Sequence, residues 1–224
     1  FLVKKNIWYI VIFVLISLSP GCLNYIQDVH IYPDGSGKMT IHYWMNAPDT
    51  EDFQILDRVG IFNPDSIRSQ FSSVYTIIEN VEVYTDTTDS TVHGIITFNF
   101  IHIDSLNNTK AFADAHFLLR DGAAGQKIFS QFIPPIATGF GIDGSNFTVT
   151  YKYTFSGEII THNAPEEEGR TLVWKYLLPE IGRGKTISVT FRPFKLKETP
   201  YWIYIISGVV LLIVIIFLFR KKKD

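Results

Sequence analysis

The chain is short of the residues that staple or metallate small domains. Only one of its 224 residues, Cys22, is a cysteine. That excludes an intramolecular disulfide framework and any cysteine-rich zinc module. Charge is sparse as well, with Asp, Glu, Lys and Arg at 19% and a formal net charge of −2. Without a basic excess there is no electrostatic footprint for nucleic acid. Internal repeats and low-complexity linkers are missing. So is HExxH, and no two of the six histidines (His30, His42, His93, His102, His116, His162) share a helical face at i, i+4. There is no Gly-x-Ser-x-Gly elbow for a nucleophile. Gly35-Ser36-Gly37-Lys38 fails as a phosphate loop because Met39 replaces the Mg²⁺-holding hydroxyl and the loop opens a strand. What the chain does have is apolar residues, 46% of the total, too many for a disordered polymer.

Much of that apolar content sits at the ends. Lys4 and Lys5 precede the unbroken apolar run Ile7–Ile16, followed by Ser17-Leu18-Ser19-Pro20-Gly21. This is the layout of a secretory signal, residues 1–21, with an uncleaved anchor as the alternative. Cys22 follows Gly21 directly, as the acylated cysteine does in a lipobox, which this site resembles. Ordinary cleavage near Gly21 would instead leave a free thiol. At the other end, residues 202–219 carry no charge and would span ~27 Å as a helix, close to the ~30 Å of a hydrocarbon core. Trp202 and Tyr204 fit an interfacial belt, and Arg220, Lys221, Lys222 and Lys223 mark a cytoplasmic flank. The reading is a single-pass membrane protein with residues 22–194 outside the cytoplasm, a tether at 195–201 and a basic tail at 220–224. Residues 1–21 and 201–224 together carry +5, and residues 22–200 carry −7. The near-neutral total is therefore a cancellation.

Between the anchors the apolar period is two. Phe147, Val149, Tyr151, Tyr153 and Phe155 alternate with polar residues, as do Ile187, Val189 and Phe191, the pattern of half-buried strands. Ile96, Phe98 and Phe100 predict a third strand, and Met39, Ile41, Tyr43 and Met45 a fourth. Pro33-Asp34-Gly35-Ser36-Gly37 predicts a hairpin turn, and Asp86–Ser90 and Asp143–Ser145 predict two more. Asn63-Pro64-Asp65 caps a helix whose apolar positions are Ile67, Phe71 and Val74. Short helices are also expected near Phe53 and Leu56 and over Asn108–Ala115. The fold class is α+β on an antiparallel sheet.

Several local patterns carry no chemistry. His30 and His42 are expected to approach across the first hairpin, yet two imidazoles are too few for a metal site. Asp86 and Asp89 lack the ligand series of a calcium loop. Glu166-Glu167-Glu168 reads as a solvated loop, and Leu178-Pro179-Glu180-Ile181-Gly182 as a loop before a strand, with Ile181 where a sortase signal requires Thr. The sequons at Asn107 and Asn146 are incidental if the chain is bacterial.

Two stretches together resemble the LppM-type domains of bacterial lipoproteins. One is Gly21-Cys22 followed by Val29-His30-Ile31-Tyr32-Pro33-Asp34-Gly35-Ser36-Gly37. The other is Phe155-Ser156-Gly157-Glu158-Ile159-Ile160-Thr161-His162-Asn163-Ala164 with Arg170-Thr171-Leu172-Val173-Trp174. Ser156 stands where the family usually has proline. The resemblance implies a non-enzymatic, surface-associated α+β domain with affinity for lipid or glycolipid. The expected function is a membrane-anchored, extracytoplasmic binding or accessory domain at the bacterial envelope, needing no cofactor and no metal, with a lipid, glycolipid or envelope protein as partner. Alternatives are an envelope hydrolase or transferase without a recognisable motif, or a structural subunit of an envelope assembly.

Overall fold

The computed structural model describes residues 23–46, 60–123, 125–135, 147–193 and 201–220. The expected signal, Cys22, the helix at Phe53 and Leu56, the turn at Asp143–Ser145, nearly all of the tether and Lys221–Lys223 lie outside the described residues. Residues 1–194 and 195–224 form separate units and are described one at a time.

The first unit is built from strands whose alternate residues point inward, as the period of two requires. β1 (Leu23–Ile31) and β2 (Gly37–Asn46) form the expected hairpin, with Ile31 opposite Gly37. Gly35 takes φ +90° in the turn, a conformation open to glycine. The Asp34 carboxylate holds the turn by accepting from the Ser36 amide at 3.0 Å and the Ser36 hydroxyl at 2.6 Å. β3 (Thr76–Asp86) and β4 (Thr91–Phe100) make the second expected hairpin, and β4 also pairs with β2. Gly94 of β4 lies under the Tyr43 ring, where a Cβ would approach to 2.6 Å.

The remaining strands are β5 (Leu118–Asp121), β6 (Lys127–Ile133), β7 (Thr148–Phe155), β8 (Glu158–His162), β9 (Glu166–Glu168), β10 (Thr171–Leu177) and β11 (Lys185–Arg192). They complete a seven-stranded sheet, β3-β4-β2-β1-β7-β10-β9, and a four-stranded sheet, β5-β6-β11-β8. Pairing is antiparallel except between β1 and β7, which run parallel with Asn24 opposite Thr148. The long stretch of chain between them supplies the crossover that a parallel pair needs.

Helices are few and short, as expected for the α+β class. In α1 (Pro64–Phe71) the Asn63 side chain accepts from the amides of Asp65 and Ser66, both at 3.0 Å. That satisfies two of the amides a helix start leaves unpaired. The helix ends at Ser72, so Val74 falls beyond it and is 88% exposed instead of packed. Over Asn108–Ala115 the expected helix is replaced by two 3₁₀ turns, Ile103–Asn108 and Lys110–Phe112. Thr109 interrupts them, its hydroxyl donating to the Leu106 carbonyl at 2.7 Å and closing the first turn. Glu166–Glu168 is a short exposed edge strand on β10, not a loop. Leu178–Ile181 is one helical turn, α2, whose Glu180 carboxylate accepts from the Leu177 amide at 2.8 Å.

The core lies between the two sheets. Tyr153 of β7 packs on Phe129 of β6, with ring centroids 4.9 Å apart, and Phe155 packs on Phe191 of β11 at 4.8 Å. Trp174 of β10 is fully buried, and its indole N–H donates to Asn163 Oδ1 at 3.1 Å. The same oxygen accepts from the Ser188 amide at 2.9 Å, and Asn163 Nδ2 donates to the Thr186 carbonyl at 2.7 Å. One asparagine thus fastens β10 of the larger sheet to β11 of the smaller. The second unit is α3 (Tyr201–Arg220), apolar along its length with its described side chains exposed.

Truncating Trp174 removes the largest fully buried side chain and one of the three hydrogen bonds of Asn163. Trp174→Ala is expected to cost about 3–5 kcal/mol, read as a drop in the urea midpoint followed by circular dichroism. Asn163→Ala should cost less but more than about 1 kcal/mol, because the Ser188 amide and Thr186 carbonyl both lose a partner.

Candidate functional site

The N-terminal halves of β1 and β7 run side by side and leave the core before it closes. Between them and the 3₁₀ turns opens a cavity of about 450 Å³, within the ~300–1,000 Å³ usual for small-molecule sites. Leu23, Tyr25, Phe147, Val149 and Tyr151 form the sheet wall, and Phe112 and Ala115 the facing one. Lys110 and Asp114, both exposed, are its charged members.

Polar groups stand behind this apolar lining. Tyr25 Oη donates to Gln27 Oε1 at 3.1 Å, Gln27 Nε2 to Tyr153 Oη at 2.8 Å, and Tyr153 Oη to Gln131 Oε1 at 2.5 Å. Gln27 and Gln131 are buried and line the cavity. Burial pushes the phenols of Tyr25, Tyr151 and Tyr153 up, with their mutual repulsion adding to the effect at Tyr25 and Tyr153. The cavity is therefore apolar at its walls and hydrogen-bonding but uncharged at its base. Trp174, Tyr153 and Phe155 lie wholly in the core, whereas Phe147, Val149 and Tyr151 belong to the core and also line the cavity. The sequence signal missed was Gln27, an inward-facing amide in the first half of β1.

Histidine pairing departs from expectation. His30 lies opposite Lys38, and His42 opposite Ile26, so the hairpin register separates the two. His42 meets His93 of β4 instead, Nε2 to Nδ1 at 3.0 Å. Thr91 Oγ1 donates to the Asp89 carboxylate and contacts His93 Nε2 at 2.7 Å. The hydroxyl proton being spent on Asp89, Thr91 accepts from His93 Nε2–H, leaving Nδ1 to accept from His42 Nε2–H. Tyr84 stacks on His93 with centroids 4.6 Å apart and planes 5° apart, and Trp44 covers His42 at 4.6 Å. Among the described residues no group of three or more His, Cys, Asp or Glu is placed to hold a metal ion.

A second polar pair lies on the same sheet face. His30 Nε2 is 2.9 Å from Ser156 Oγ, beside a groove of about 280 Å³ lined by Asp28, His30, Tyr32, Lys38 and Thr40. Of the two sequons, Asn146 lies outside the described residues. Asn107 is engaged internally, accepting from the Phe117 amide and donating to its carbonyl, each at 2.8 Å.

Of the expected anchor residues, Trp202, Tyr204 and Arg220 fall on α3. Trp202 and Tyr204 are in its first turn, 60% and 63% exposed, and Arg220 is its last residue. Among the described residues Tyr201–Leu218 is the one segment long and apolar enough to cross a membrane.

Burial, and then the neighbouring His93, hold the His42 pKa below the ordinary histidine value. The unfolded chain, with an imidazole near 6.5, then binds more protons than the folded one as pH falls. The His42 contribution is thus complete above about pH 6.5 and lost on acidification below it. The depressed carboxyls of Asp34, Glu79 and Asp86 act in the same direction but only below about pH 4. Urea unfolding is expected to show lower stability at about pH 5.5 than at about pH 7.5, with the difference reduced in His42→Gln.

Comparison with known proteins adds a likeness of fold. No family model matches the chain, and no curated protein matches it. Among solved structures it is similar to the folded domain of the Mycobacterium tuberculosis LppM protein, determined by NMR. The TM-score is 0.48 and the identity 16%, over 78% of this chain and 92% of that one.

Proposed function

We propose that the chain is a membrane-anchored, extracytoplasmic, non-catalytic binding domain of the bacterial envelope whose ligand is a lipid or glycolipid. The observation that carries the reading is the cavity: aliphatic and aromatic walls over a base of neutral amides and phenols. An acyl chain satisfies the walls, and a hydroxyl or ester oxygen can use the amide hydrogens of the base. The base itself offers an anionic group no cation, Lys110 being an exposed member of the lining. In this reading residues 1–21 direct export, Cys22 is acylated, α3 spans the bilayer and its basic end remains cytoplasmic.

The test uses the full chain extracted with its native lipids. Native mass spectrometry is expected to show one retained lipid per chain beyond any covalent acyl group. Ala115→Trp, which fills the cavity from its facing wall, should lower occupancy at least tenfold, the equivalent of ~1.4 kcal/mol. Equal occupancy in the two proteins would remove the cavity from the account. Lipidation is checked separately by the mass of the mature N-terminal peptide.

The His30–Ser156 contact supports a second reading, an envelope hydrolase, because 2.9 Å is the separation of a base and a nucleophile. Under it, a fluorophosphonate probe should label Ser156 in the native protein and fail to label His30→Ala. An unlabelled Ser156 would reject the hydrolase.

A further inference from the structure

One end of the seven-stranded sheet is where Ile31, Gly37, Phe100 and Thr76 stand in register. Several connections meet there and are tied by backbone hydrogen bonds. The Ile101 amide donates to the Tyr75 carbonyl at 3.1 Å, Ile103 to Gly35 at 2.9 Å, and Ser156 to Ile31 at 2.9 Å. Gly157 lies so close to the Arg192 carbonyl that a Cβ would approach it to 2.4 Å. Pro193, the last described residue before the tether, is therefore at this same end.

Large apolar side chains are exposed here. Val74 is 88% exposed, Ile77 66%, Ile101 57%, Tyr32 42% and Tyr75 37%. Three ion pairs lie around them: Arg192 with Glu158 at 3.2 Å, Lys127 with Asp121 at 3.0 Å, and Lys38 with Glu79 at 2.6 Å. Asp34 is held by Ser36. Exposed apolar side chains gathered at one end of a sheet among polar groups have the composition of an interaction surface.

We propose that this end docks on the lipid bilayer, Val74, Ile77 and Ile101 entering the interface and Tyr32 and Tyr75 lying at headgroup level. Chain length selects this occupant. Residues 194–200 separate Pro193 from the start of α3, so at ~3.3–3.6 Å per residue the connection reaches at most about 25–30 Å. With α3 in the membrane, the apolar end stands within one tether of the headgroups. Lys195 and Lys197 in the tether favour anionic lipid at the same place. The tyrosines suit an interface, having an apolar ring and a polar tip. The inference rests on α3 spanning the bilayer and is independent of what the cavity holds.

The test is made on the full chain with Cys22→Ser, so that a single introduced cysteine can carry an environment-sensitive fluorophore. Val74→Cys reports on the patch, and Thr87→Cys, in the β3–β4 turn at the far end of the sheet, is the reference. Both are reconstituted in phosphatidylcholine vesicles with and without brominated acyl chains. The label at 74 is expected to shift to the blue and be quenched by bromolipid, while the label at 87 stays water-like and unquenched. Matching behaviour at the two positions overturns the proposal. So does a blue shift at 74 that appears in detergent and disappears on dilution, which would identify a second copy of the chain as the occupant. Resistance to alkaline extraction reports on α3 itself. A chain that resists extraction with an unquenched label at 74 overturns the docking alone, and an extracted chain overturns both.

Discussion

A single buried hydroxyl organises the domain. Tyr153 is fully buried, and an unpaired phenol there would cost several times what its hydrogen bonds contribute net. Gln27 of β1 donates to it and Gln131 of β6 accepts from it, so both sheets must approach this one oxygen. The parallel pairing of β1 with β7 brings Gln27 alongside, and the β6–β11 pairing holds Gln131 opposite. Below this point aromatic rings fill the space between sheets. Above it, where Leu23, Tyr25, Phe147 and Tyr151 face the 3₁₀ turns, the sheets and turns leave the cavity. Filled core and open site share the strands β1 and β7, and the polar bridge separates them.

The parts legible in the sequence were those decided by neighbours in the chain. Alternation in β4, β7 and β11 survives because one face is dry and the other wet, and a one-residue slip would reverse both. The Asp34–Gly35 turn and the Asn63 cap are also local, closed within three residues by their own side chains. What could not be read depended on partners distant in sequence. Nothing near Leu23–Gln27 announces a strand, since Tyr25 and Gln27 become inward positions only once β7 lies beside them. The His42–His93 contact follows from β2–β4 register, not from spacing. Val74 has helical spacing from Ile67 and Phe71, but Ser72 closes the helix on the Arg68 carbonyl first, and hydrogen bonding outranks the apolar pattern. Of the cavity, only the aromatic half of β7 was visible beforehand. Its opposite wall comes from 3₁₀ turns that spacing suggested as helix.

The motif halves around Asn163 and Trp174 gain a physical meaning. Asparagine has both a donor and an acceptor on one planar group, and at position 163 each is used to join separate strands. Aspartate could not donate to the Thr186 carbonyl, and leucine could do neither. The requirement on Asn163 is structural. By contrast the Tyr84–His93–His42–Trp44 row sits on the open face, where stacked rings stabilise the sheet from outside and remain responsive to protons.

The chain enters and leaves the described domain at opposite poles. β1 begins at Leu23 and runs nine residues to Ile31, about 30 Å at ~3.3 Å per residue, and Pro193 is at the Ile31 pole. The chain between Pro193 and Tyr201 can reach at most a comparable distance. A label placed at Leu23 and one placed at Pro193 would therefore report on opposite poles of the same sheet, a full strand apart.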